Sequence, residues 1–496
     1  MDRVADVRAM AKLSADSASP ASKARCITLA VIGTTYAVTL TGEDVPYLGS
    51  GTKGEGDSMG QYYFRLALIS FRRNPVLTGL MVLAIAFGVA MTMTAFTILF
   101  VMARDPIPQK SGQLFAVQID NGGPRSRKAG DDEPATQLTY RDAMALLASH
   151  AAIRQVAMHQ VSLTVAPDDR GLKPFSIAAR ATSPDFFAMF DVPMLYGQGW
   201  NVADDTNGAA VVVLSRALNE RLFGGANSIG KDLRLNGDAY RVIGVTDAWD
   251  PKPRFYDVIN GQDFETGEDA YLPLTLTIGK QMSTSEYEFC DAGPRGEDFD
   301  DLIRSECVWL QYWAELPTAA DVVAYRNFLT NYARDQQQSG RFTWAPNARL
   351  RNVRDWLVAQ KIVPDDVRLS AIVAFSFFMV CLVCALGLML AKSLERAGEY
   401  GLRRALGASG RHIFTQAIVE SGVVGLLGGL FGLGLTLAGL WAMRALFPDG
   451  MGRVANMDTS LFATTVALAA TATLFAGLYP AWRAMRVAPA LQLKVG

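Results

Sequence analysis

Four stretches of this 496-residue chain run for 23 residues or more without a single Asp, Glu, Lys or Arg: Val76–Ala103, Leu369–Ala391, Ser421–Met443 and Thr459–Trp482. About 20 apolar residues in a helix cross a hydrocarbon core about 30 Å thick. Inside lipid each backbone N–H and C=O must find its partner locally, which a helix provides. Each stretch therefore predicts a transmembrane helix. A buried helix of a soluble protein would account for one of them, but hardly for four. A fifth apolar segment, Cys26–Gly42, is shorter and carries Thr28, Thr34, Thr35, Thr39 and Thr41. It is too polar to match the others.

Lys and Arg in the short loops set the orientation. Arg65, Arg72 and Arg73 precede the first span. Lys392, Arg396, Arg403, Arg404 and Arg411 lie between the second and third, and Arg483, Arg486 and Lys494 follow the fourth. Both termini and this middle loop are expected in the cytoplasm, and the long insertion between spans one and two on the other side. Asp105 to Arg368 holds 36 acidic and 27 basic residues, a net of −9, within a chain whose formal net charge is −1. That near-neutral total offers no dominant positive field for nucleic acid. The expected class is a membrane protein, four transmembrane α-helices with a large α+β extracytoplasmic domain inserted between helices 1 and 2. Residues 1–58, rich in Ser, Ala, Gly and Thr, are expected to be a disordered leader or a mis-called N-terminal extension, with Met59 as the working start. Residues 59–104 hold an amphipathic cytoplasmic helix and helix 1, residues 105–368 the external domain, and residues 369–496 helices 2–4.

The insertion mixes strand and helix patterns. Ala210–Ser215 is a β-branched run, and Arg216–Phe223 has helical spacing closed by Gly224-Gly225, which tolerate a left-handed C-cap. Lys231–Leu235 and Ala239–Val245 flank Asn236-Gly237, a hairpin turn signal. Tyr140–Ser149 predicts a helix, Pro294–Asp301 a polar acidic loop, and Ser183-Pro-Asp-Phe-Phe187 a capped helix start. No nucleophile–base constellation or H-E-x-x-H is present. His159 is expected to be a surface or packing residue. The acidic group Glu297, Asp298, Asp300 and Asp301 lacks the alternation of a calcium loop. Neither a catalytic residue nor a metal is expected. Cys290 and Cys307 either pair in an oxidising compartment or remain two thiols. Cys381 and Cys384 form a C-x-x-C inside a span, where hydrocarbon raises thiol pKa and suppresses redox chemistry, so packing is expected of them.

Span three is rich in glycine. Gly425/Gly429 and Gly428/Gly432 each make a G-x-x-x-G that lets another helix approach closely, either from a second subunit or from this chain. The spans contain no charged group for an ion pathway. Between spans two and three runs Glu395-Arg-Ala-Gly-Glu399-Tyr-Gly-Leu-Arg-Arg404-Ala-Leu-Gly-Ala-Ser409. Leu402, Ala405 and Leu406 fall near one helical face, Gly407 can end that helix, and Ser409 can cap the next. A short amphipathic helix clamped between two spans is a lever; the bland alternative is a loop whose arginines only hold orientation.

Glu395–Ala408 resembles the pattern E-x-x-x-E-[I/F]-G-[L/I]-R-x-A-[L/I]-G-A of MacB/FtsX-type ABC transporter permeases, with Tyr400 where Ile or Phe is usual. Tyr479–Ala484 at the end of the last span, Ser183–Phe187 leading to Gly197-Gln-Gly199, and Val211–Gly244 are similar to the same family and its MacB-type periplasmic core domain. Trp249 to Leu350 matches least. The resemblance implies that 395–408 is a coupling helix docking on a cytoplasmic ATPase, through Glu395, Glu399, Gly401, Leu402, Arg403, Arg404, Ala405, Leu406, Gly407 and Ala408. It implies mechanotransmission: ATP-driven closure moves the helices and reshapes the external domain. The chain has no G-x-x-x-x-G-K-[S/T] phosphate loop, so no cofactor is expected on it, and ATP and Mg are expected on a partner ATPase. The expected role is a non-catalytic permease subunit for export or extraction in a bacterial inner membrane. Its expected partners are that ATPase, a second permease subunit, membrane lipid and a periplasmic adaptor. A membrane-anchored sensor or a cell-wall-hydrolase regulator without transport is the alternative. Neither substrate nor direction follows from the residues.

Overall fold

The computed structural model describes residues 25–31, 34–40, 74–125, 132–167, 173–260, 264, 267–285, 287–291, 293–294, 296, 298–407, 409–446 and 459–485. Within residues 1–66, which form a unit of their own, β1 (Arg25–Val31) pairs antiparallel with β2 (Thr34–Leu40). This hairpin lies within the 1–58 segment. Thr28, Leu29, Val31, Thr34, Thr35, Tyr36 and Val38 are β-branched, aromatic or apolar, and that composition suits a pleated strand. The expected amphipathic helix before span one lies outside the described residues.

In the remaining unit α1 (Pro75–Met102) starts with Pro at its first turn, where the missing N–H costs nothing, and carries the chain out of the bundle. The external domain follows. Its strands are β3 (Leu114–Gln118), β4 (Leu138–Thr139), β5 (Arg154–Ala166), β6 (Phe175–Thr182), β7 (Met194–Gly197), β8 (Val211–Leu214), β9 (Asp232–Leu235), β10 (Asp238–Thr246), β11 (Ala270–Pro273), β12 (Val308–Glu315) and β13 (Arg349–Asn352). They form one 11-stranded mixed sheet in the order β13-β3-β12-β5-β6-β11-β8-β10-β7, with β4 beside β12 and β9 bridging β10 and β5. The long β5 is the spine, because it pairs with β6 along eight residues and also with β12 and β9. Asn236 and Gly237 take positive φ between β9 and β10, the conformation of the expected tight turn.

The domain's helices are α2 (Tyr140–Ser149), α3 (Phe186–Met189), α4 (Val202–Thr206), α5 (Arg216–Phe223), α6 (Leu274–Gly279), α7 (Phe299–Arg304), α8 (Ala319–Gln338) and α9 (Val353–Ala359). Thr139 and Ser215 cap α2 and α5 through their hydroxyls, and Gly224 closes α5 in the left-handed region. The segment at Ser183 departs from expectation. Ser183 accepts from Ala157 N at 3.0 Å and donates to Ala157 O at 3.2 Å, pinning the chain to β5, and α3 is only four residues long. The hydroxyl is engaged by the β5 backbone, and Asp185 rather than Ser183 stands at the N-cap of α3. The acidic loop also differs, because its end is wound into α7. Cys290 and Cys307 form a disulfide that ties this loop to the start of β12.

Then α10 (Asp365–Glu395) returns through the bundle, α11 (Ala397–Ala405) follows a bend at Arg396, and α12 (Gly410–Leu446) and α13 (Thr459–Met485) complete it. Among the described residues α1, α10 and α12 are long and apolar enough to cross a membrane. The fourth expected span falls within α13, many of whose side chains lie outside the described residues. Helix α10 runs antiparallel to α1: Gly88 faces Phe378 and Cys381, and Thr92 Oγ1 donates to Ala374 O at 3.0 Å. Gly428 and Gly432 of α12 pack against α1 of this chain. A methyl on Gly428 would lie 2.7 Å from Ile85, and one on Gly432 2.9 Å from Val89; Gly425 and Gly429 are buried as well.

Candidate functional site

The external domain and the bend at Arg396 lie at opposite ends of the same rods. At the outer end Ile98 and Met102 of α1 and Val367 of α10 join one apolar core with Phe186, Phe190, Phe255, Trp313 and Trp356 of the domain. Arg354 Nε bonds Asp105 at 2.9 Å across that junction. The domain is therefore seated on α1 and α10 by packing as well as by the chain.

At the inner end α11 has two faces. Ala397, Tyr400 and Gly401 are buried at helical i, i+3, i+4 spacing, and Tyr400, 4% exposed, packs on Ile413 of α12. On the other side Leu402 is 58% and Leu406 79% exposed, beside exposed Ala405. The helix is shorter than the expected 395–408. Glu395 is the last residue of α10, where it accepts from Asn74 Nδ2 at 3.2 Å, and Leu406 and Gly407 form the turn that follows α11. Gly407 has a φ of +99°, which is what stops the helix. Glu399 is half-buried, while the side chains of Arg403 and Arg404, and all of Ala408, lie outside the described residues. The residue that breaks the family pattern, Tyr400, is thus the inward anchor of the elbow. Leu402 on α11 and Leu406 in the turn after it together present an exposed apolar ridge.

The external domain contains a second cluster of titratable groups. Arg180, fully buried on β6, bonds Glu268 through Nε at 2.9 Å and Nη2 at 2.7 Å, and also pairs with Asp257. Tyr256 donates to Glu268 at 2.7 Å, and Arg254 lies 3.7 Å from it. Burial alone would raise the Glu268 carboxyl, but Arg180 and Arg254 overcome it and hold the group down at about 2. On the opposite face of the sheet His159 meets Trp309 edge-on at 4.9 Å and lies 3.4 Å from Thr277 Oγ1. Burial, helped by Arg180, lowers the imidazole to about 3, so the ring is neutral. His159 is a core residue with no exposed proton to exchange. Among the described residues no group of three or more His, Cys, Asp or Glu side chains is placed to hold a metal.

The family model for the MacB-like periplasmic core domain matches residues 78–296, and that for the FtsX-like permease C-terminal domain matches 371–489. The macrolide export ATP-binding/permease protein MacB of Syntrophobacter fumaroxidans is 24% identical over 470 residues, covering 86% of this chain and 63% of its own length. The protein of the same name from Rhodopirellula baltica is 26% identical over 442 residues, covering 86% and 61%. The chain thus spans about six-tenths of the length of the curated relatives it matches. The crystal structure of the periplasmic region of MacB from Actinobacillus actinomycetemcomitans covers 53% of this chain and 98% of its own, at 14% identity and a TM-score of 0.34.

Proposed function

This chain belongs to the MacB/FtsX-type permeases, membrane-embedded components of ABC transporters that carry a periplasmic domain, and from that premise we propose that it is a non-catalytic mechanotransmission subunit. An ABC ATPase on a separate chain binds ATP and Mg and docks on α11; its closure moves α1 and α10, and these reshape the external domain outside the inner membrane. Four spans, cytoplasmic termini, a second permease subunit and a periplasmic adaptor complete the complex, which exports or extracts a substrate. The exposed ridge of Leu402 and Leu406 carries this reading. Such a ridge costs hydration free energy until a partner covers it, and the family's permeases work with such an ATPase. The seating of the external domain on α1 and α10 supports the relay. Leu402→Asp and Arg403→Glu test it: each is expected to reduce both co-purification of the ATPase and its turnover in the complex. If neither variant alters association or turnover, the docking assignment is wrong.

A further inference from the structure

At the root of the elbow, three helices are tied together by polar side chains in apolar surroundings. Lys392 of α10 is 5% exposed; its Nζ lies 2.6 Å from Glu420 Oε1 of α12 and donates to Thr78 Oγ1 of α1 at 3.1 Å. The Arg396 guanidinium lies 3.6 Å from the same Glu420 oxygen. Met81, Met389 and Val424 help to close the space around them to a cavity of only about 30 Å³. Lys392, Glu420 and Thr78 sit at one level of the bundle. Lys392 directly follows one charge-free stretch, Glu420 directly precedes another, and Thr78 is the third residue of the first.

Pulling α10 from α12 at this level would strand a buried ammonium or carboxylate, which is strongly unfavourable. The root of α11 therefore resists shear between its flanking helices. We propose that Lys392 and Glu420, with Thr78, are positioning residues that form a transmission clasp: they convert displacement of α11 into joint displacement of α1, α10 and α12. Without the clasp, the elbow would swing on its own and the external domain would not feel the stroke. This rests on the reading that an ATPase docks on α11.

The test uses the full chain in nanodiscs with its ATPase, measuring ATPase association, ATP turnover and the change in hydrogen exchange of the external domain on adding ATP and vanadate. Lys392→Met is expected to keep association and turnover within about threefold of wild type while reducing the external response at least about fivefold, a size typical of coupling energies. Lys392→Arg, which keeps a long cationic side chain beside Glu420 and Arg396, should retain the response. If Lys392→Met fails to accumulate, Thr78→Val carries the test, with the response expected to fall by about half. A full external response in these variants, with ATPase bound, overturns the clasp and leaves the docking reading standing. Loss of ATPase binding in Lys392→Met also overturns it, by assigning the pair to docking. A wild-type complex whose ATPase binding ignores Leu402→Asp refutes the docking reading, and the clasp with it.

Discussion

Truncating the apolar ridge of α11 should weaken ATPase binding without harming the permease. Leu402 and Leu406 are 58% and 79% exposed in the chain alone, so nearly all of their remaining burial would come from the partner. Full burial of a leucine side chain contributes about 1.5–3 kcal/mol, and the two exposed fractions together then contribute roughly 2–4 kcal/mol. The double variant Leu402→Ala with Leu406→Ala should therefore bind the ATPase about 30- to 700-fold more weakly. Because neither leucine supports the bundle, the melting temperature of the permease alone should stay within about 2 °C of wild type. Titrating labelled ATPase onto nanodisc-embedded permease reads the first quantity, and a melting curve of the same sample reads the second. Binding within about threefold of wild type would refute docking on this ridge, since that is less than the burial of one such side chain. A collapse in melting temperature would instead mean that the leucines are part of the bundle core.

Arg180→Met should destabilise the external domain by about 3–5 kcal/mol, because the buried Asp257 and Glu268 carboxylates lose their nearest counter-charge while Arg254 stays 3.8 and 3.7 Å away; chemical denaturation of the whole chain checks this. Acid should weaken the same domain in two steps. The folded-state imidazole of His159 lies at about 3, below its ordinary 6.5, so the unfolded chain takes up the proton first and stability falls as pH drops from 6.5 toward 3. The Glu268 carboxyl, at about 2 rather than 4.5, contributes stability that is complete above 4.5 and lost as pH falls toward 2. His159→Gln should remove the first slope and leave the second, as read from denaturation midpoints across pH. Gly432→Leu should separate α12 from α1, because its first side-chain carbon would already sit 2.9 Å from Val89; a loss of about 1–3 kcal/mol in detergent stability is expected.

Three of the long helices could be read from the sequence because lipid leaves so few options: a charge-free run of that length can satisfy its backbone only as a helix. Local signals were equally legible where one residue type dictates one conformation, as at Asn236-Gly237 and at Gly224. The elbow was legible as a motif, but its inward face was not. Tyr400 looked like a departure from pattern until its packing on Ile413 placed it in the bundle. Long-range polar pairs were invisible for the same reason. Arg180 and Glu268 are 88 residues apart, and nothing local to either marks the other as its partner. Lys392 and Glu420 were hidden by position. Charges at the ends of spans ordinarily set orientation, and only the fold turns these two toward each other. Ser183 shows the opposite failure, in which a familiar capping signal was overridden by side-chain bonds to a strand backbone.

The most direct measurement is site-specific photo-cross-linking in intact membranes, with a benzophenone amino acid placed at Leu406 on the elbow or at Ile153, 64% exposed on the external domain. The account predicts an adduct with the ABC ATPase from position 406 and none from position 153. An ATPase adduct from 153, or its absence from 406 while the complex is assembled, would contradict it.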